Sequence, residues 1–253
     1  MKLRAHRNKN NKNKNDKYKP IVLFDVDGTM VFNSLLHVKV LELSFKKVFN
    51  KEIKIDWKKC SGKTDLWIIH DHLIEHGISH EEYESKKEEL IRFMTEYYEE
   101  HIEEEEICTV YPGINEILNE IKDKVYLGLS TGNIEGIAYA KIKKAGVKYN
   151  FQFGGFGSDN WQRSQFILTA IKRCCKMYGL KFRKAKKNTY YIGDTPHDLI
   201  AAREAGVKSI IVLTGYYGKW VFEKQNLKPD LFLKNFKDEE SRQKFLKFIG
   251  IKE

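Results

Sequence analysis

Apolar positions along this 253-residue chain fall into two patterns. Short unbroken runs lie at 21–24, 125–130, 151–156, 189–192 and 209–213, with a weaker one at 231–233. Runs of this length, bounded by polar or glycine-containing stretches, read as strands covered on both faces, as in a parallel sheet. Between them, apolar residues recur every three or four positions. That spacing predicts helices at 114–121, at 134–145 with Gly146 as a stop, from after 156 through Cys175, at 199–205 with Gly206 as a stop, and near 239–249. Strands alternating with helices imply an α/β fold: a doubly wound parallel sheet with helices on both faces.

The block 34–110 departs from this alternation. It is rich in Glu and Lys and has no convincing strand. Leu35, Val38, Leu41, Phe45 and Phe49 follow helical spacing, as do Leu90, Phe93, Met94, Tyr97 and Tyr98. The expected organisation is therefore a core domain made of 20–33 and 111–253, with an inserted α-helical domain at 34–110. The length suits this arrangement. The Glu103–Glu106 run reads as a solvated helix end.

Charge adds a third region. The net charge is +10, but residues 1–19 hold eight Lys or Arg against Asp16 alone, which gives +7 and leaves +3 for everything else. Five Asn and few apolar side chains accompany those cations. Such a segment cannot offset its ordering entropy by burial and reads as a disordered basic tail. A basic arm for RNA or an acidic membrane, an address signal and a plain solvated extension are the readings it allows. Apart from that tail, the charge balance does not suggest a nucleic-acid partner. No apolar run is long enough to span a bilayer, and none resembles a signal peptide. Cys60, Cys108, Cys174 and Cys175 form no metal-binding spacing and read as reduced thiols of a cytoplasmic protein. His72 and His76 stand four apart on an expected helix, where a packed or solvated face competes with a metal pair.

Three strand ends carry the candidate chemistry, since ligands of open α/β sheets bind outside the carboxyl ends of the strands. The first is Asp25-Val26-Asp27-Gly28-Thr29. Residues two apart in extended chain face the same way, so both carboxylates can address one site. They repel unless a proton or cation lies between them, and a hard divalent cation such as Mg²⁺ suits oxygen ligands beside a phosphate. An Asp-rich turn is the plain alternative. The second is Ser130-Thr131-Gly132-Asn133, a hydroxyl at a strand tip followed by a helix start. It reads either as an anion seat of backbone N–H groups or as a simple cap at Asn133. The third is Gly193-Asp194-Thr195-Pro196-His197-Asp198, with one acid at a strand tip and another in the first helical turn.

Together these stretches resemble the haloacid dehalogenase superfamily over roughly residues 20–250. The similarity is greatest to phosphoglycolate-phosphatase-like members with a helical cap. Leu129–Asn133, Phe156-Gly157-Ser158-Asp159 and Tyr111-Pro112-Gly113 add to it. The third motif departs from the family, where a Lys is usual; here Arg163 is the candidate. An arginine can neutralise Asp25 and hold phosphate through paired hydrogen bonds.

The resemblance implies a Mg²⁺-dependent phosphatase acting on a small phosphorylated metabolite. Asp25 would be the nucleophile and Asp27 the acid and base. Asp25, Asp194 and the Asp27 carbonyl would hold the metal, with Asp198 behind them. Thr131, Arg163, Gly132 and Asn133 would bind phosphate. Residues 34–110 would be a lid with hinges near 32–33 and 110–111, and Lys63, in a loop similar to one that enters the active site in this family, would face an anionic leaving group. A sugar phosphomutase is the rival enzyme, and an inactive binding protein on the same fold is the non-enzymatic one.

Overall fold

The computed structural model describes residues 19–32, 35–56, 60, 62–104 and 107–251. The expected tail therefore lies outside the described residues up to position 18, as do Asn33 and the end of the Glu103–Glu106 run.

Six parallel strands form one sheet in the order β3-β2-β1-β4-β5-β6. They are β1 (Ile21–Phe24), β2 (Tyr126–Thr131), β3 (Gly154–Phe156), β4 (Thr189–Gly193), β5 (Lys208–Val212) and β6 (Leu231–Leu233). After β1 the chain makes α1 (Leu35–Phe49), α2 (Asp65–Glu75), α3 (His80–His101) and a single 3₁₀ turn, Ile102–Glu104. The later helices are α4 (Ile114–Ile121), α5 (Glu135–Lys144), α6 (Arg163–Tyr178), α7 (Phe182–Lys187), α8 (Pro196–Ala205), α9 (Lys219–Lys224) and α10 (Glu239–Phe248).

The alternation of β1 divides the core. Val22 and Phe24 join a cluster with α4, α5 and α10, while Ile21 and Leu23 join α6 and α8 on the other face. The first cluster continues without a break into Val40, Phe45, Leu73, Leu90 and Met94 of the helical insert. The insert thus shares apolar core with the sheet. At the contact, Gly136 of α5 lies against α3, where a Cβ would come within 2.2 Å of the Thr95 methyl.

The entry and exit of the insert run side by side. Val31 and Val110 form an antiparallel bridge, Phe32 N–H donates to Thr109 O (3.0 Å) and Tyr111 N–H to Met30 O (2.9 Å). The Phe32 and Tyr111 rings lie 4.0 Å apart.

Two differences from the sequence reading concern local order. The third strand is only Gly154–Phe156; Phe151 and Phe153 are buried ahead of it, in the clusters on opposite faces, and Phe153 O accepts from Leu129 N–H of β2 (3.2 Å). The six-residue helices α7 and α9 were not expected, because each buries a single side chain, Ala185 or Phe222, and so shows no periodicity. The spacing of His72 and His76 serves backbone contacts. His72 Nδ1–H donates to Ile68 O (2.7 Å), its Nε2 accepts from Asp56 N–H (3.0 Å), and His76 Nδ1–H donates to His72 O (2.7 Å).

The short β3 sets a tight limit on α6. A Cβ on Gly155 would fall 1.8 Å from the carbonyl oxygen of Phe166, which is backbone and cannot step aside. Gly155→Ala should therefore destabilise the fold by about 2–3 kcal/mol, lowering Tm by roughly 5–10 °C in a thermal melt. An unchanged Tm would show that α6 does not need this close approach.

Candidate active site

The first aspartate follows directly from the strand. Asp25 extends β1 by one residue, its N–H donating to Ile192 O of β4 (2.9 Å), so it stands at the carboxyl edge between β2 and β4. The chain then turns sharply: Met30 N–H and Val31 N–H both bond to Val26 O (2.9 and 3.0 Å). Gly28 makes this possible at φ +75°, and a Cβ there would meet the Asp194 carboxylate at 2.4 Å. The glycine is required twice, by conformation and by space. Thr29 Oγ1–H then donates to Asp194 Oδ1 (3.1 Å), tying the first motif to the last.

Asp194 follows β4, and Asp198 sits in the first turn of α8. Asp198 is saturated. One oxygen accepts from Arg163 Nη2 (2.6 Å) and the Tyr191 hydroxyl (2.8 Å). The other accepts from Thr195 Oγ1 (2.7 Å) and from Thr195 N–H (3.0 Å), closing a capping box on α8. Asp25, Asp194 and Asp198 are all buried, and each offers an oxygen within 4.8 Å of the others. Three carboxylates so placed can hold a metal ion.

Arg163, at the start of α6, reaches into this cluster. Its Nη2 is 3.6 Å from Asp25 Oδ2 and closer to Asp198. Its Nη1 faces Gly132, where a Cβ would lie 3.2 Å away, and its buried Nε–H has no partner among the described residues. The guanidinium therefore stands beside Asp25 and Asp198, with a donor left over.

One cation does not balance three buried acids. Burial, and then repulsion from Asp198, push the Asp25 carboxyl up to about 7 although Arg163 opposes the shift. Burial, then repulsion from Asp198 and Asp25, drive Asp194 well above the carboxylate range. Asp198 behaves oppositely: burial would raise it, but Arg163 and the Thr195 and Tyr191 hydrogen bonds hold it below. The unmet demand for positive charge sits at Asp25 and Asp194, and a divalent cation with oxygen ligands fits it.

Asp27 has a cation of its own, which sequence reading missed. Lys141 of α5 is fully buried, with Nζ 2.8 and 2.7 Å from the two Asp27 oxygens and 2.8 Å from Asn133 Oδ1. The Asn133 amide donates to Asp27 Oδ2 (2.7 Å) and to Thr131 Oγ1 (2.9 Å). Burial would raise Asp27, but Lys141 and then His37 hold its carboxyl below the usual range. In the sequence Lys141 is one of several lysines in a helix that ends Lys-Ile-Lys-Lys, and its neighbours point outward. Only its spacing with the buried face of α5 marks it.

The helical insert reaches the same network. His37 of α1 has Nδ1 3.0 Å from Lys141 Nζ and Nε2 3.1 Å from Asp65 Oδ1. Asp65, in the first turn of α2, accepts from Ile134 N–H (3.0 Å) through its other oxygen and donates its own N–H to Gly132 O (3.2 Å). This corrects the expectation for the α5 start. Asn133 is not the cap, and the Ile134 N–H is taken by the insert instead of being open to an anion.

These groups surround a cavity of about 810 Å³. Asp25, Asp27, Thr131, Gly132, Asn133, Arg163 and Asp194 all line it, with Lys63 across from them. Asp198 lies behind Arg163 and Asp194. Lys63 differs from expectation: its ammonium is bound to Asp71 (2.5 Å) and lies 5.7 Å from the Trp67 ring, so its charge is already met within α2. The rest of the mouth is largely apolar and aromatic, including Phe32, Leu35, Tyr111 and Tyr216.

The family described as haloacid dehalogenase-like hydrolase matches residues 22–212. A phosphoglycolate phosphatase of Chromobacterium violaceum is 27% identical over 126 residues, covering 49% of this chain and 54% of that protein. The chain thus spans about half the length of that curated relative. Phosphoglycolate phosphatase 1 of Pseudomonas aeruginosa is 27% identical over 228 residues, covering 86% of this chain and 77% of that one. Among solved structures, CbbY from Rhodobacter sphaeroides in complex with phosphate has a TM-score of 0.63 at 17% identity, covering 87% of this chain and 96% of that one. A hydrolase from Pseudomonas syringae has a TM-score of 0.61 at 18% identity, covering 90% and 99%. At such identities the structures speak for the fold.

The charge imbalance has a measurable sign. A carboxyl raised on folding holds its proton more tightly in the native state. The stability that Asp25 contributes is therefore fully present below its ordinary value of 3.8 and is lost as pH rises through about 7. Chelated protein should lose this increment between about pH 4 and pH 7, and a divalent cation should restore it. The cation-induced rise in Tm is expected to be larger near pH 8; an equal or smaller rise there would contradict the imbalance.

Proposed function

Because this chain belongs to the haloacid dehalogenase-like hydrolase family, we propose that it is a Mg²⁺-dependent phosphatase of small phosphomonoesters working through an aspartyl-phosphate on Asp25. The observation that carries this is the meeting of Asp25, Asp27, Thr131, Arg163 and Asp194 on one cavity at the ends of three adjacent parallel strands. The two relatives named phosphoglycolate phosphatase support this substrate class.

Asp25 and Asp194, with the main-chain carbonyl of Asp27, would hold Mg²⁺, which supplies charge neutralisation for carboxylates and phosphate alike. Arg163, whose Nη1 faces Gly132, and the hydroxyl of Thr131 seat the phosphate oxygens. An Asp25 oxygen attacks phosphorus as the ester oxygen leaves, and Asp27 in its protonated form gives that oxygen its proton. Asp27, now ionised, takes a proton from water as the water oxygen attacks phosphorus and the bond to Asp25 breaks. Inorganic phosphate departs, and the proton on Asp27 serves the next turnover.

Lys141 and Asn133 position Asp27 for both steps. Holding the carboxyl below its usual range favours the ionised form that the second step needs. The helical insert contributes His37 and Asp65 to the same network, so its docking on the sheet and the placement of Asp27 belong together. We propose that α1–α3 act as the lid of the site, with 30–32 and 109–111 as paired hinge strands. The apolar mouth, and a Lys63 bound to Asp71, favour leaving groups that do not depend on a carboxylate.

Phosphate release from a panel of phosphomonoesters, phosphoglycolate among them, tests the reading. Activity should require Mg²⁺, vanish with chelator, and fall by at least about a thousandfold in Asp25→Asn. An Asn variant as active as the wild type would sink it.

A second variant separates positioning from binding. Lys141 is buried behind Asp27 and does not line the cavity. Lys141→Met should lower kcat by about a hundredfold while KM stays within about threefold. Stability should drop by about 1–3 kcal/mol, because the partly exposed Asp27 loses its cation and keeps only the Asn133 hydrogen bond. A KM effect as large as the kcat effect would assign Lys141 to substrate binding instead.

A further inference from the structure

The edge of the sheet opposite the cavity carries a charge pattern that the proposed reaction does not use. Residues 172–187 contain eight Lys or Arg and no acid. Their +8, with the +7 of residues 1–19, exceeds the +10 of the whole chain, so everything else sums to −5. The positive charge is concentrated in two segments far apart in sequence.

Parallel strands bring those segments together. Lys19 stands before β1, and α7 stands before β4, the strand beside it; Ile21 N–H donates to Asn188 O (3.0 Å) across the join. Lys19, Lys181 and Lys184 line one hollow at this edge. Lys19, which lines that hollow, directly follows the basic segment 1–18 in the sequence. The aspartates lie at the other ends of the strands; β1 has four residues, which separates the two sites by at least about 13 Å.

The cations here are open to solvent. Lys172, Lys176, Lys181, Arg183, Lys184 and Lys187 are exposed, and of the eight only Arg173 pairs with a described acid, Asp159. Large side chains stand among them: Met177 is 49% exposed, Tyr178 40% and Phe182 37%. Tyr178 is braced by the Tyr126 ring at 4.3 Å.

We propose that this edge is a docking surface for single-stranded nucleic acid. Lysines and arginines on a groove follow the phosphodiester backbone, and exposed rings offer faces on which bases stack without regard to sequence. The pattern fits this partner better than an acidic membrane. A helix lying on a bilayer buries a broad apolar face, whereas α7 offers one exposed ring, Phe182, amid four cations, and the first nineteen residues are Asn- and Lys-rich.

The test is fluorescence anisotropy of the full chain with labelled uridine and thymidine oligomers of roughly 20 nucleotides. Both should bind, and affinity should fall at least about tenfold between about 50 and 200 mM salt. The combined variant Lys172→Glu, Lys176→Glu, Lys181→Glu, Lys184→Glu should bind at least about tenfold more weakly, and Phe182→Ala at least about fivefold. Thermal melting checks the fold independently of any hydrolysis, and the matching Ala variants replace the Glu set if that set does not fold. Failure of the wild type to bind, unchanged binding by the charge variants, or sedimentation with phosphatidylserine vesicles without oligomer binding would each overturn the proposal. Binding of one oligomer only would confirm the surface and restrict it to that kind of strand.

Discussion

Too many buried carboxylates meet at the carboxyl edge of this sheet for the protein to neutralise alone, and most of the site's architecture answers that constraint. Asp25, Asp194 and Asp198 share one small space. Arg163 serves Asp198 first and Asp25 only at 3.6 Å. Asp25 and Asp194 are left favouring their protonated forms. Such an arrangement is poor for stability, because buried charge without a partner is expensive. It suits a site whose missing charge arrives with a ligand.

Asp27 lies two residues away under the opposite regime. Its cation is a fully buried lysine that also holds Asn133, and Asn133 in turn holds Thr131. Two neighbouring acids are thus driven apart: one kept hungry for positive charge, the other biased toward its ionised form. Environments that separate like groups in this way let identical side chains take different chemical roles. The separation comes from α5 and α6, which deliver Lys141 and Arg163 to different oxygens.

The helical insert is part of the same electrostatic unit. Asp65 takes the Ile134 N–H just ahead of α5 and, through His37, borders Lys141. Its apolar side chains continue the core on one face of the sheet. The insert therefore does more than cover the cavity: removing its polar contacts would leave the start of α5 and the support of Asp27 altered together.

The sequence by itself determined the fold class and the strand tips. Periods of two and 3.6 are local, and short buried runs between helical stretches leave few arrangements besides a parallel sheet. Asp25, Asp27, Thr131, Asp194 and Asp198 were legible because each lies within two or three residues of a strand end or helix start, and Arg163 because it opens a helix. What only the tertiary structure decided is which charges meet. Lys141 is 114 positions from Asp27, and only its spacing with the buried face of α5 sets it apart from Lys143 and Lys144 beside it. Lys63 carried the right local signal, yet Asp71, eight positions further on in α2, holds its ammonium. The basic edge likewise exists only because parallel strands set the ends of distant segments side by side. Spacing fixes which residues share a face; Coulomb attraction between faces depends on distances that folding alone creates.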